Sequence, residues 1–241
     1  MHRNVFLGLA GLLIAGIALG EDFWVKKEYT QWTEEEVKKV MTNSPWAKDV
    51  TVSAPAGSLG PGQRGPQNSN IDVESGAGGG RGRGGRGGAR GGEAEGGGAG
   101  DVLLSLNMSW RSALPLRKAI VKSRLSGSTE VPSEAQQMLA KEQEEYVIVV
   151  SGVPARNARQ IQDPARLNRS TLKAGKKAPI TPKAVDFQAR TQTVDVFFIF
   201  PKTDPITLED KEVELDLKLG AMEAKRKFNL KDMVYNGKLE L

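Results

Sequence analysis

The sequence predicts an α+β fold: a mostly antiparallel sheet with helices packed on one side, plus a disordered Gly/Arg-rich insert. Three observations carry this. Val102 to Trp110 and Glu212 to Leu219 alternate apolar and polar residues with period two, the pattern of half-buried strands. Trp32 to Lys48 holds a complete set of helix start and stop signals. Between these regions, Pro55 to Gly100 is dominated by Gly, Pro, Ser and Arg. Such a segment buries too little apolar surface to offset the entropy of ordering.

The chain opens with Arg3 and an apolar run from Val5 to Leu19. Ala18-Leu19-Gly20 has the small-x-small form of a signal cleavage site, which puts the mature start near Glu21. The run is short for a membrane span, which needs about twenty residues. A cleaved export signal is therefore the reading adopted for residues 1–20, with a retained anchor as the alternative. Residues 21–32 are aromatic-rich and read as extended.

Thr33 is placed as an N-cap, and Glu36 three residues on completes a capping box. Trp32 and Val37 occupy the two positions of a hydrophobic staple. Glu34, Glu35 and Glu36 suit the positive end of the helix, and Lys38 and Lys39 follow toward the negative end. Val37, Val40 and Met41 share one face. Pro45 stops the helix, because the residue before proline avoids the helical region. A helix of about eleven residues is marginal alone in water, so it needs a surface to cover. Asp49 to Ala54 reads as a short strand.

The block Trp-Thr-x-Glu-Glu-Val-x-x-Val-Met-x-x-Ser-Pro-Trp-Ala-Lys, residues 32–48, resembles the N-terminal signature of a group of uncharacterised secreted proteins, mainly from acidobacteria. The ending Phe228-Asn-Leu-Lys-Asp-Met-Val-Tyr-Asn-Gly-Lys-Leu-Glu-Leu241 is similar to that group's ending. The resemblance covers both ends of the chain well and the middle loosely. It implies export and brings no catalytic residues with it. A more distant similarity is to bacterial proteins with a Gly-Trp-x-Thr-Asp motif, from which Gln31-Trp32-Thr33-Glu34 departs.

The tract 55–100 centres on Arg81-Gly-Arg-Gly-Gly-Arg-Gly-Gly-Ala-Arg-Gly-Gly92. One reading is a nucleic-acid segment whose arginines contact phosphates and stack on bases. The other is a flexible, solvated linker. The tract has no aromatic residue, and Asp72, Glu74, Glu93 and Glu95 offset its arginines. Nucleic acid is therefore disfavoured as a partner, and the linker reading is preferred.

The segment before the tract is too small for a core of its own. Closing a loop of about 45 residues costs about 3–4 kcal/mol. Burying Val37, Val40, Met41 and Trp46 returns about 1.5–3 kcal/mol each. Residues 21–54 are therefore expected to dock onto the main domain, 101–241, adding a helix and an edge strand.

In that domain Val102 to Trp110 is a strand. Ser112 is expected to cap a helix through Arg124, with Leu116, Ile120 and Val121 inward. Its outer face, Arg117, Lys118, Lys122 and Arg124, suits an anion or a membrane surface, or simply solvent. Pro132-Ser133 opens a second helix to about Glu144, with Met138 and Leu139 inward. Tyr146 to Val153 is the most apolar run and reads as a central strand. Asp163-Pro164 starts a short helix over 164–172. Ala184 to Arg190 and Thr193 to Phe200 form a strand pair, and Glu212 to Leu219 with Met222 to Leu230 a hairpin. Asn236-Gly237 turns the chain into a last short strand.

The 241-residue chain has no cysteine, and its one histidine is His2. After Glu21 this excludes Ser-His-Asp and Cys-His catalysis, zinc sites of His or Cys, and iron–sulfur clusters. No cofactor or metal is implied. Formal net charge is +5. Residues 101–177 hold 13 Lys and Arg against 7 Asp and Glu, whereas residues 178–241 hold 10 against 11. The most basic stretch, with Arg156, Arg159, Arg166, Arg169, Lys173, Lys176 and Lys177, is the candidate polyanion site, or else a solvated loop. Glu214 and Asp216 are a candidate acid–base pair, although their strand pattern points them at solvent. Trp24, Trp32 and Trp46 suit a core, or an exposed glycan-binding cluster.

The function expected from this is that of an exported, periplasmic or secreted envelope protein of structural or interaction type. Its partner would be another envelope protein or a polyanion, with membrane contact only through an uncleaved signal. The alternatives are a hydrolase or transferase built on carboxylate, serine or lysine, and a polyanion binder. The signal reading predicts a mature protein beginning at Glu21, measurable by intact-mass spectrometry of the exported chain; a mass retaining residues 1–20 would favour the anchor.

Overall fold

The strands form where the sequence alternates, as in Glu212–Leu219, or runs apolar, as in Glu145–Pro154. The structure, a computed structural model, describes residues 22–54, 102–125, 128, 130–155 and 161–241. Residues 1–20, read above as a signal, the cleavage residues Gly20 and Glu21, the Gly/Arg tract, and Arg156 and Arg159 lie outside the described residues.

The fold is α+β with antiparallel sheets. A five-stranded sheet has the order β1-β2-β3-β6-β5, built from β1 (Ala47–Ala54), β2 (Val102–Trp110), β3 (Glu145–Pro154), β5 (Ala184–Ala189) and β6 (Thr193–Pro201). A three-stranded sheet of order β4-β7-β8 comprises β4 (Thr171–Ala174), β7 (Glu212–Leu219) and β8 (Met222–Asn229). The hairpin β9 (Val234–Tyr235) and β10 (Lys238–Leu239) ends the chain. Asn236 (φ 49°) and Gly237 (φ 77°) supply the two left-handed positions that such a tight turn demands.

Register sets the core. Trp110 pairs with Ile148, and Met108 with Val150. Ile148 pairs in turn with Phe198, and Val150 with Val196. All six are fully buried on one face of the large sheet. The small sheet presents Val213, Leu215, Leu217 and Leu219 to the same core, also fully buried. The two sheets meet where Trp110 lies edge-on to Phe228, 5.8 Å between ring centroids. On β3 the register shifts between Val150 and Val153, so two residues there oppose Asp195 alone. Gly152 (φ 92°) takes the conformation this bulge requires.

The helix α2 (Glu34–Thr42) begins with the expected capping box. Glu36 N–H donates to Thr33 Oγ1 at 3.2 Å, and Thr33 N–H donates to Glu36 Oε2 at 2.9 Å. Trp32 and Val37, the staple pair, are both buried. The helix lies against β1, β2 and α3 (Leu114–Arg124), and α3 lies against α4 (Ser133–Ala140). Trp46 is fully buried, and its indole Nε1 donates to the Glu240 carbonyl at 3.0 Å.

Several expectations are corrected. Residues 22–32 are not extended: they form α1 (Phe23–Lys26) and a 3-10 turn at Tyr29–Gln31. Their aromatic rings pack on one another rather than across a sheet, Phe23 on Trp24 at 4.9 Å and Phe23 on Trp32 at 5.8 Å. Ser112 does not cap α3, whose N-cap is Ala113. The serine Oγ instead accepts the Val147 N–H at 3.0 Å. Ile120 is only half-buried, and Ala119 takes the inner place beside Leu116. The helix α4 ends at Ala140, because Lys141 to Glu144 offer it no apolar face; it buries no residue, and Met138 is 45% exposed. The helix α5 (Pro164–Leu167) spans one turn, since Thr171–Ala174 is captured as a strand by β7.

Removing the cap tests the local account, and removing the indole tests the long-range one. Thr33→Ala should cost about 1 kcal/mol, and Trp46→Ala about 3–5 kcal/mol. Urea denaturation monitored by circular dichroism measures both. A Trp46→Ala variant as stable as the parent would show that residues 22–54 are not held by this contact.

Candidate functional site

Arg117 lies in the apolar stripe of α3, one helical period from Ala113 and from Val121. It is therefore carried inward and is only 9% exposed. This reverses its expected place on an outer, basic face. Nη1 donates to the Lys141 carbonyl at 3.1 Å. Nη2 is buried and has no hydrogen-bond partner among the described residues. Two other lysines of that face are occupied as well. Lys118 Nζ donates to Tyr235 Oη at 3.1 Å and sits over the Tyr29 ring, and Lys122 donates to the Thr30 carbonyl.

Arg117 lines a cavity of about 540 Å³ where four distant parts of the chain converge: the start of α3, the end of α4, the loop after β6, and β10 with the final residues. Lys202, in the loop after β6, lines it too. Its Nζ donates to the Gln143 carbonyl at 3.0 Å and lies 4.7 Å from the centre of the Tyr146 ring. Burial pushes the Lys202 ammonium below its ordinary pKa, against the opposing charges of Glu142 and Glu240. Burial also lowers the Arg117 guanidinium, with Glu240 opposing. Burial raises the Tyr146 phenol, partly offset by the Ile206 N–H it accepts at 2.8 Å. Glu240 Oε2 accepts the Leu114 N–H at 3.1 Å. Neither Arg117 nor Lys202 forms a carboxylate ion pair among the described residues.

The residues singled out from the sequence stand elsewhere. Arg166 pairs with Asp163 at 3.5 Å and donates to the Gly220 carbonyl at 3.0 Å. Lys177 lies between Asp210 at 3.0 Å and Asp204 at 3.3 Å. Lys173 faces Glu214 across the β4–β7 ladder, and Arg169 and Lys176 are exposed. The described members of the basic stretch thus run along α5, β4 and the following turn, and acidic neighbours offset two of them. Trp24, Trp32 and Trp46 are core residues, at most 5% exposed.

Asp216 and Glu214 are held by lysines. Asp216 meets Lys225 at 2.9 Å and Lys218 at 3.1 Å, and Glu214 lies 3.8 Å from Lys227. Burial alone pulls the Asp216 pKa up, but the hydrogen bonds and charges of Lys225 and Lys218 together hold it below its ordinary value. That is the wrong direction for a general acid at neutral pH. It also gives a stability prediction. The folded pKa lies below the unfolded value near 3.8, so the stabilisation is full above that value and lost as pH falls through the folded pKa. Asp216→Asn should therefore be less stable than the parent at neutral pH. The difference should shrink as pH falls below 3.8 and through the folded pKa, as read by urea midpoints across pH; a gap that persists in acid would contradict the lysine account.

Among the described residues, no group of three or more His, Cys, Asp or Glu is placed to hold a metal ion, and no helix is long and apolar enough to cross a membrane. No protein-family model, curated protein or solved structure matches the chain.

Proposed function

We propose that the chain is an exported envelope protein of interaction type, a non-catalytic module that receives a group of its partner in the cavity beside Arg117. The state of the cavity's cations supports this reading. Arg117 donates to the Lys141 carbonyl, and Lys202 donates to the Gln143 carbonyl and lies over the Tyr146 ring, so neither is spent on a carboxylate ion pair among the described residues. Ser112 Oγ, Tyr146 Oη and Glu240 Oε2 each accept a backbone N–H, from Val147, Ile206 and Leu114, and so help hold the fold together. Convergent polar groups on apolar walls are the usual build of a binding cavity. The apolar segment ahead of Gly20, and the resemblance of both chain ends to an exported group, support the envelope address.

A photo-reactive residue at exposed Lys141, on the rim, should give discrete cross-linked products in cells, whereas one at exposed Lys225 on β8 should not. Identical products from both positions would sink the reading. So would turnover of ester, amide or glycoside substrates that Arg117→Gln abolishes.

A further inference from the structure

Two of the cations that line the cavity, Arg117 and Lys202, form no carboxylate ion pair among the described residues. Arginine stays charged at any relevant pH, so Arg117 carries a full positive charge at 9% exposure. Its Nη2 is out of contact with water and lacks an acceptor among the described residues. Lys202 is half-buried, held only by a carbonyl and the Tyr146 ring. Desolvated charges are normally paired, because leaving one unpaired is costly. Asp195 illustrates that rule. Asp195 is 6% exposed and takes two Arg190 nitrogens at 2.9 Å each. Glu240 approaches the cation pair, but it is committed to Leu114 N–H and bonds to neither cation. Lys238 and Glu142, on the rim, pair with each other at 3.4 Å.

Beside its polar groups the lining carries the apolar side chains of Leu114, Leu139, Ile206 and Leu239. The volume, about 540 Å³, lies within the range of small-ligand cavities. Charge and wall together define the ligand class. Resting on the interaction reading above, we infer that the cavity binds an organic carboxylate with an apolar body, its oxygens accepting from Arg117 and Lys202. A guanidinium and an ammonium that line one cavity, neither paired with a carboxylate among the described residues, suit the two oxygens of one carboxylate. The apolar part then replaces water against the leucines and Ile206. A bare oxyanion leaves those walls wet.

The inference separates binding from stability at Lys202. A lysine kept for the fold would cost stability when neutralised. A lysine kept for a ligand is an unpaired half-buried charge, and replacing it with an isosteric apolar chain should leave the melting temperature unchanged or raise it.

Hexanoate, hexanamide and inorganic phosphate, titrated into the full mature chain by calorimetry, supply the test. Hexanoate should bind saturably. Hexanamide should bind about tenfold or more weaker, the loss expected for charge-assisted hydrogen bonds. Lys202→Met should weaken hexanoate about tenfold without lowering the melting temperature, and Arg117→Gln should abolish binding. Because Arg117→Gln disturbs a buried site, Lys202→Met decides the matter if the first variant unfolds. Equal affinity for hexanoate and hexanamide, parental affinity in Lys202→Met, phosphate binding tighter than hexanoate, or no hexanoate binding each overturns the inference. In those cases cross-linking from Lys141 still stands for the interaction reading. Turnover of substrate would sink that reading while leaving carboxylate binding intact.

Discussion

The contact on which this structure turns is made by Trp46. Its indole is fully buried, and its N–H reaches the carbonyl of Glu240, 194 positions along the chain. Trp24 packs edge-on at 5.9 Å from one side and Tyr235 at 6.2 Å from the other. One backbone step away from the ring, the Trp46 carbonyl accepts the Trp110 N–H at 2.8 Å, which fixes where β2 leaves β1. A buried indole N–H gains from an acceptor, and the acceptor of Trp46 comes from the far end of the sequence. The aromatic opening segment, the edge strand and the terminal hairpin are thus fixed in position by one side chain.

What the sequence made legible was whatever depends on near neighbours. The capping box of Thr33 and Glu36 is encoded within three residues, and it formed as expected. The alternation of Val213, Leu215, Leu217 and Leu219 states its own burial, and the Asn236-Gly237 turn states its own backbone. What was not legible depends on partners far away. Phe23 to Gln31 coil because their rings find Trp32 and Trp46, not because of a local helical signal. Ser112 looked like a cap, but the incoming β3 supplied a better donor in Val147.

The cavity shows the same division. Arg117 did carry a signal, since it stands four residues from Ala113 and four from Val121, inside an apolar stripe. Its charge argues for the outer face and its position for the inner one, and in the folded chain position prevails. Lys202 carried no signal at all. Its place beside Tyr146 follows from the β3–β6 register, in which Tyr146 faces Phe200 and the chain then turns over the ring. The basic stretch, which did look like a site, was conspicuous only because charge is easy to count. Folding placed acidic neighbours beside Arg166 and Lys177.

Glu240 joins the two halves of this account. Its carbonyl holds Trp46, its carboxylate holds the first N–H of α3, and its own N–H donates to the Met233 carbonyl at 3.1 Å. The residue is at once a wall of the cavity and the anchor of the N-terminal segment. Any ligand that binds only the folded cavity stabilises whatever the cavity requires in order to form. That requirement includes the seating of Glu240, and the seating of Glu240 depends on the Trp46 indole. Occupancy of the cavity and attachment of residues 22–54 therefore draw on the same free energy. A ligand that closes around Arg117 and Lys202 would hold the opening helix more firmly to the body. By reciprocity, an N-terminal segment pulled away by a partner would weaken the cavity to the same extent.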